Sequence, residues 1–297
     1  METLANLRRK LSAAKDIKSV VRAMKAMAAS NITQYTTAVS SLGDYYQTIS
    51  LAIAAYLIQE KIHGRDKLEN LQKNDDSSIR AIIFGSDQGL VGRFNNLITD
   101  FVRQTLDGMP GKKEIWVIGE RAQALLSDSG LIAEKTFAVP NSIEAVTPLI
   151  GKILIEIEKV LAKNPGQIFY IFHNKPKEGA GYEQVVQRLL PLDEKWQNEF
   201  SEIPWPAKNI PQIVGKPKPA LLAFISGYLF VSLFKACAES LASENASRLE
   251  AMQRADKNIG DLLDSLNHKF HRLRQSSIDE ELFDVVSGFE ALKVKVK

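Results

Sequence analysis

Residues 4–56 read LANLRRKLSAAKDIKSVVRAMKAMAASNITQYTTAVSSLGDYYQTISLAIAAY. Stepping from Leu4 alternately by three and four residues meets Leu7, Leu11, Ala14, Lys18, Val21, Lys25, Ala28, Ile32, Tyr35, Val39, Leu42, Tyr46, Ile49, Ile53 and Tyr56. Fourteen of these sixteen positions are apolar or aromatic. A seven-residue repeat sustained this far predicts a left-handed coiled coil, because the stripe has to keep facing one partner. No proline occurs before Pro110, and only Gly43 weakens the helix locally. At ~1.5 Å per residue, roughly sixty such residues would run about 90 Å. Lys18 and Lys25 are the exceptions in the stripe. An unpaired buried ammonium costs several kcal/mol. Either this face meets water or an acidic partner there, or the lysines snorkel out of the seam.

The C-terminal third repeats the pattern. After Pro219 there is no further proline, and Met252, Ala255, Ile259, Leu262, Leu266, Lys269 and Leu273 follow the same alternating step. Two long seams in one chain most simply satisfy each other. The segment between them has to return the chain, which makes the pair antiparallel. That register sets Ile49–Ile58 beside Ala220–Phe234 and brings the two chain ends together.

Between the seams the pattern changes. Ile79–Phe84 is a β-rich apolar run ending in a glycine-bearing loop, followed by a helix over 96–106. A second strand is expected at Glu114–Gly119 and a helix at Arg121–Ser127. Asn141 can cap a longer helix reaching Lys163, with a kink at Pro148. Gln167–Asn174 reads as a third strand and Glu183–Leu192 as a fourth. Strands alternating with helices predict a mainly parallel, Rossmann-like sheet covered on both faces. Lys61–Ser78 and the proline-rich Ile203–Pro219 read as linkers. The expected fold class is therefore α/β: a coiled-coil helix over 1–62, a central α/β domain over 77–200, and a second coiled-coil helix over 217–297.

Composition narrows the function classes. The 297 residues are 45% hydrophobic and 25% charged, which excludes wholesale disorder. A net charge of +3 is too small to argue for nucleic acid. The single cysteine, Cys237, excludes an intramolecular disulfide framework and reads as a small buried hydrophobe in a reducing compartment. The uncharged run Ala220–Phe234 falls short of the ~20 residues that span a bilayer and predicts a buried helix. The basic N-terminal stretch lacks a signal-peptide core, and its helical pattern outlasts a transit peptide. A soluble chain is expected.

Few motifs suggest chemistry. The loop Gly85–Asn95 (GSDQGLVGRFN) joins a strand to a helix as phosphate loops do. Its spacing fits neither G-x-G-x-x-G nor the P-loop, so it lacks the lysine and hydroxyl that hold phosphate and magnesium. It reads as a tight turn requiring positive φ. His268, His271 and Asp264 share a helix at ligand-like spacing but fit a solvated face. Nothing assembles a catalytic constellation, so no catalytic, cofactor-binding or metal-binding residue is expected. Asn31 and Asn245 begin sequons without consequence in a reducing compartment.

Several of these stretches together resemble one family. Arg22-Ala-Met-Lys-Ala-Met-Ala-Ala-Ser30 is similar to the KAMKMVAAS signature of the gamma subunit of F-type ATP synthases, and Ser86–Asn95 to its SDRGLCGGFN. Ser243–Met252 resembles its SENASRMxAM, Arg274–Ile278 its RQASI, and Val285–Gly288 its IVSG. Order and approximate spacing hold along the chain. The resemblance implies a non-catalytic rotor, the central stalk of a membrane-bound ATP synthase or ATPase. Such a rotor would transmit torque between an ion-driven c-ring and the catalytic hexamer of alpha- and beta-type subunits, with an epsilon-type subunit at its foot. It further implies peripheral attachment at the cytoplasmic face of a bacterial inner membrane. Contacts to catalytic-subunit loops, carried over residue by residue, fall on Arg22, Met24, Lys25, Arg248, Arg274 and Gln275. Gln88, Val91 and Arg93 depart from the family pattern, and Asn31–Tyr35 lacks its usual basic run. These departures point to a divergent bacterial branch, such as the F-type ATPases that export sodium or protons. The alternative reading is a static coiled-coil scaffold that reuses the fold.

Overall fold

The computed structural model describes residues 3–62, 78–177, 181–192, 194–213 and 215–294. Most of the first expected linker, residues 63–77, lies outside them, as do the last three residues. The chain forms two compact units, Met1–Ala28 with Leu249–Lys297, and Ala29–Arg248. Helix α1 (Leu4–Ile62) and helix α6 (Pro217–Val294) each contribute to both. Thr3 starts α1 by accepting the Asn6 N–H on its hydroxyl at 3.3 Å. Pro217 and Pro219 stand in the first turn of α6, where a missing N–H costs nothing.

In the terminal unit the two helices pair antiparallel. The Arg8 guanidinium lies 5.6 Å from the Phe270 ring centroid, Lys18 reaches Gly260, and Arg22 and Lys25 reach Asp256. Each step up one helix is matched by a step down the other. Leu7, Leu11 and Ala14 close a small core with Leu263 and Leu266, flanked by Ile259 and Phe270. This shifts the second seam from its expected positions. Leu262 is 51% exposed while Leu263 is 9% exposed, and Lys269 and Leu273 are also exposed. Two adjacent leucines make the stripe ambiguous, and the packed face follows 259, 263, 266 and 270. We expect Leu263→Ala to cost the terminal unit about 2–3 kcal/mol. Leu262→Ala stays within about 0.5 kcal/mol. Hydrogen exchange along Ile259–Phe270 distinguishes them.

In the larger unit the same antiparallel register recurs. Asn31 Nδ2 donates to Asn245 Oδ1 at 3.3 Å, and Tyr46 lies 6.3 Å from Tyr228 between ring centroids. Gly227 faces Ile49, whose Cδ1 would sit 2.7 Å from a Cβ at that position, so the helices approach closely there. The expected pairing of Ile49–Ile58 with Ala220–Phe234 is thus met at this point. Of the sixteen positions in the first stripe, all but Tyr46 are buried or half-buried.

The sheet holds five strands in the order β3-β2-β1-β4-β5: β1 (Ile79–Phe84), β2 (Lys113–Ile118), β3 (Ala133–Phe137), β4 (Ile168–Pro176) and β5 (Tyr182–Leu190). All neighbouring pairs are parallel except β4 with β5. Helices α2 (Phe94–Asp107) and α3 (Glu120–Asp128) cover the face carrying Ala81 and Ile83. Helix α4 (Val146–Lys163) covers the face carrying Ile82 and Phe84, together with residues of α1 and α6. The alternation along β1 therefore splits one strand between two cores.

Three elements differ from expectation. The longer helix starts at Val146 rather than Asn141. Pro148 then falls in the first turn, where no intrahelical partner is lost, and no kink is needed. Strand β3 was not anticipated, because Glu134 and Lys135 disguise it. Glu134 accepts from Trp116 Nε1 at 3.3 Å, and Lys135 pairs with Glu156 of α4. Helix α5 (Glu194–Ser201) fills a stretch given no element, between the fourth expected strand and the proline-rich linker, with Trp196 and Phe200 edge-on to Tyr228.

Lys135 and Lys159 hydrogen-bond the Glu156 carboxylate and hold its pKa at about 2. A carboxyl depressed in the folded state adds stability above its unfolded value, about 4.5, and loses it as pH falls through about 2. Glu156→Gln should therefore lower the melting temperature at neutral pH, with the gap to wild type closing between those values. A gap unchanged down to the acid end would remove the pairing from the account.

One described helix, within Pro219–Gly288, is long and apolar enough to cross a membrane by composition. Half of its most apolar window is buried against the chain itself.

Candidate functional site

The six positions carried over from the family signatures separate into groups. On α1, the Arg22 and Lys25 side chains share one acidic partner, Asp256 of α6, at 3.7 and 3.4 Å. Lys25, one of the two exceptions in the stripe, is thus answered by a carboxylate of its own chain. Met24 beside them is half-buried. Arg274 and Gln275 are exposed on α6, eighteen and nineteen residues past Asp256, or roughly 27 Å along a helix. They do not join the Arg22–Lys25 cluster.

Arg248 belongs to the larger unit and is largely buried. Its Nη2 donates to Glu244 Oε1 at 2.6 Å and its Nη1 to Asn245 Oδ1 at 3.4 Å. Burial pushes the Glu244 carboxyl above its ordinary pKa, and the Arg248 guanidinium opposes that shift. Cys237 lies one to two turns away and is buried, as expected of a small hydrophobe. Burial, and then the Glu244 charge, drive its thiol pKa far up, so no reactive thiolate forms.

The loop after β1 is a brace. Asn95 Oδ1 accepts the Ser86 N–H at 3.0 Å, Asn95 Nδ2 donates to Ser86 Oγ at 2.8 Å, and Ser86 Oγ donates to the Gln88 carbonyl at 2.9 Å. Asp87 accepts the N–H groups of Glu120 and Val139, each at 3.0 Å. Its carboxylate thus ties the start of α3 to the segment after β3. Gly92 takes a positive φ of 56°, as a tight turn requires, and so does Leu90 at 62°. The side chains that a phosphate loop would turn outward are spent internally. Of the departures from the family pattern, Gln88 and Arg93 are exposed, while Val91 is buried and accepts the Ser247 hydroxyl on its carbonyl.

Helix α6 meets this brace through a row of polar side chains whose role the sequence reading missed. His173 Nε2 of β4 lies 2.8 Å from Glu239 Oε2. Ser240 Oγ donates to the Phe84 carbonyl at 3.2 Å, Ser243 Oγ to the Asn174 carbonyl at 3.0 Å, and Ser247 Oγ to the Val91 carbonyl at 2.6 Å. The signal available in the sequence was the spacing of small hydroxyls along one helical face inside an otherwise apolar run.

His268 and His271 are exposed on α6. Among the described residues, no group of three or more His, Cys, Asp or Glu side chains could hold a metal ion.

The chain has clear relatives. A family model described as ATP synthase matches residues 3–292. It is 26% identical to the ATP synthase gamma chain of Syntrophus aciditrophicus (strain SB), an alignment that covers 98% of this chain and 99% of that one. It is 28% identical to the ATP synthase gamma chain of Clostridium perfringens (strain SM101 / Type A), with 98% of each covered. Among solved structures, a chain of the Euglena gracilis mitochondrial ATP synthase rotor superposes with a TM-score of 0.62 at 16% identity, over 93% of this chain and 98% of that one. A chain of the Tetrahymena thermophila mitochondrial ATP synthase central stalk and c-ring gives 0.55 at 20% identity, over 80% and 99%. Matched by the family model over residues 3–292 and by gamma chains along 98% of its length, this chain belongs to the ATP synthase gamma family.

Proposed function

We propose that the chain is the central-stalk rotor of an F-type ATP synthase, turning inside the catalytic hexamer and carrying torque to or from the membrane ring. It is a component of the complex and, on this reading, catalyses nothing itself. The observation that carries the proposal is the end-to-end match to gamma chains combined with two helices that pair in antiparallel register in both compact units. A torque shaft needs side chains that interlock between its helices, and the first stripe supplies them within each unit. The internal use of Ser86, Asp87 and Asn95 supports a non-catalytic role, since these polar side chains of the phosphate-like loop bond within the chain. Its partners are the alpha- and beta-type subunits, an epsilon-type subunit and the c-ring. We place the complex at the cytoplasmic face of a bacterial inner membrane, with this chain held there peripherally.

Arg22, Met24, Lys25, Arg248, Arg274 and Gln275 are proposed to meet loops of the catalytic subunits. Arg22 and Lys25 can exchange Asp256 for an acidic loop as the shaft turns, because neither pair is deeply buried. Arg248 is less free, since Glu244 already holds it.

Affinity recovery of the tagged chain from its native membranes, with mass spectrometry and an ATPase assay, tests the rotor. Co-recovery of alpha- and beta-type subunits with a membrane ring is expected, and sodium stimulation would identify the exporting branch. Recovery without ATPase partners would overturn the proposal in favour of a static scaffold. For the contact residues, reversing both charges (Arg22→Glu with Lys25→Glu) should slow ATP hydrolysis by the complex about fivefold or more, the equivalent of one lost charge-assisted contact. An unchanged rate would sink that assignment.

A further inference from the structure

Open α/β sheets bind their ligands outside the carboxyl ends of the strands, at the point where the strand order reverses. Here that point lies between β1 and β4: the chain leaves β1 through α2 toward β2 and β3 on one side, while β4 and β5 lie on the other. The carboxyl ends of these two strands are not open. Glu239, Ser240, Ser243 and Ser247 of α6 lie over them, each less than 8% exposed. Their spacing of one, four and eight residues keeps all four on one face of the helix. They bond the last residue of β1, the histidine and asparagine near the end of β4, and the loop that follows β1. Three of the bonds end on main-chain carbonyls, so the attachment does not depend on which side chains the strand ends carry.

We propose that the ligand crevice of this α/β fold is the permanent seat of the chain's own C-terminal helix. Glu239, Ser240, Ser243 and Ser247 are the positioning residues that weld the sheet to α6. This rests on the rotor reading and extends it. In a rotor, the joint between shaft and sheet has to resist twist about the helix axis. An apolar contact alone slides, whereas hydrogen bonds to two strand ends and a loop fix an angle as well as a distance.

The test uses Ser243→Ala with Ser247→Ala, which removes two hydroxyls and almost no volume. In the free full-length chain, hydrogen exchange at the Ser86 and Phe94 amides should accelerate about tenfold or more. Exchange along α6 beyond Ile259 stays unchanged. In the assembled complex in sealed vesicles, ATP hydrolysis should persist while ions pumped per ATP fall severalfold. A merely structural loss would lower both together. Unaltered exchange, or pumping and hydrolysis falling in proportion, would overturn the weld. If the double variant does not fold, Ser247→Ala alone gives the same exchange reading at Phe94. Failure of the wild-type complex to pump at all would instead remove the rotor reading. The exchange result on the free chain would still stand or fall on its own.

Discussion

Alanine at Gly119 is expected to destabilise the sheet by about 2–5 kcal/mol, combining backbone strain with a forced collision. Gly119 has φ = 116°, which side chains disfavour, and a Cβ there would lie 2.7 Å from the Ser86 nitrogen and oxygen. Those are main-chain atoms, so no rotamer relieves the clash. Ser86 is also the residue that cannot move: its N–H is held by Asn95, its hydroxyl bonds Gln88, and its carbonyl accepts the Arg121 N–H at 3.0 Å. Displacing it disturbs the brace loop, the first turn of α3 and the seat of α6 together. Hydrogen exchange of the Ser86 and Arg121 amides, with the urea midpoint of the full chain, measures the loss. A Gly119→Ala protein indistinguishable from wild type would refute the close approach.

Trp116→Ala should cost about 4 kcal/mol or more, from the emptied volume and two lost cation–ring contacts. Trp116 is fully buried on β2, edge-on to Phe137 and Phe169 at 6.3 and 5.9 Å. The Arg80 guanidinium lies 5.0 Å and the Lys135 ammonium 5.3 Å from its ring. Removing the indole leaves Arg80 with Glu114 and Glu134 but without the ring it lies over. Exchange at the β1 amides Ile82 and Ile83 should rise by about three orders of magnitude, each 1.4 kcal/mol being tenfold. Trp116→Phe should recover more than half of that protection, because it keeps an aromatic ring between Phe137 and Phe169. If both variants exchange like wild type, Trp116 is not the centre of this core.

Legibility followed the range of the interaction. The stripe from Leu4 to Tyr56 was readable because each position repeats at a spacing set by the helix itself. The first strand, Ile79–Phe84, was readable because five of its six residues are apolar and all six are buried, on both faces. Where two apolar neighbours compete, as at Leu262 and Leu263, period alone selected the wrong one. Strand β3 was hidden because its Glu134 and Lys135 bond partners on other elements. The carried-over Arg22, Lys25 and Arg248 were visible as motif residues, and so was Glu244 within Ser243–Met252, whereas the partner Asp256 carried no signal of its own.

The sequence alone thus determined the two seams, their antiparallel sense, the α/β character of the middle and the family. Each is encoded in local periodicity or in contiguous signatures. Only the tertiary structure decided that the signature loop braces the sheet, that Asp256 answers Lys25, and that α6 seats on the carboxyl ends of β1 and β4. The Asp256 and α6 contacts join residues 66 to 231 positions apart, and Asp87 reaches 33 and 52 positions along the chain. A serine hydroxyl finds a strand-end carbonyl only after the intervening chain has folded the two together, so nothing in the local pattern can announce the pair.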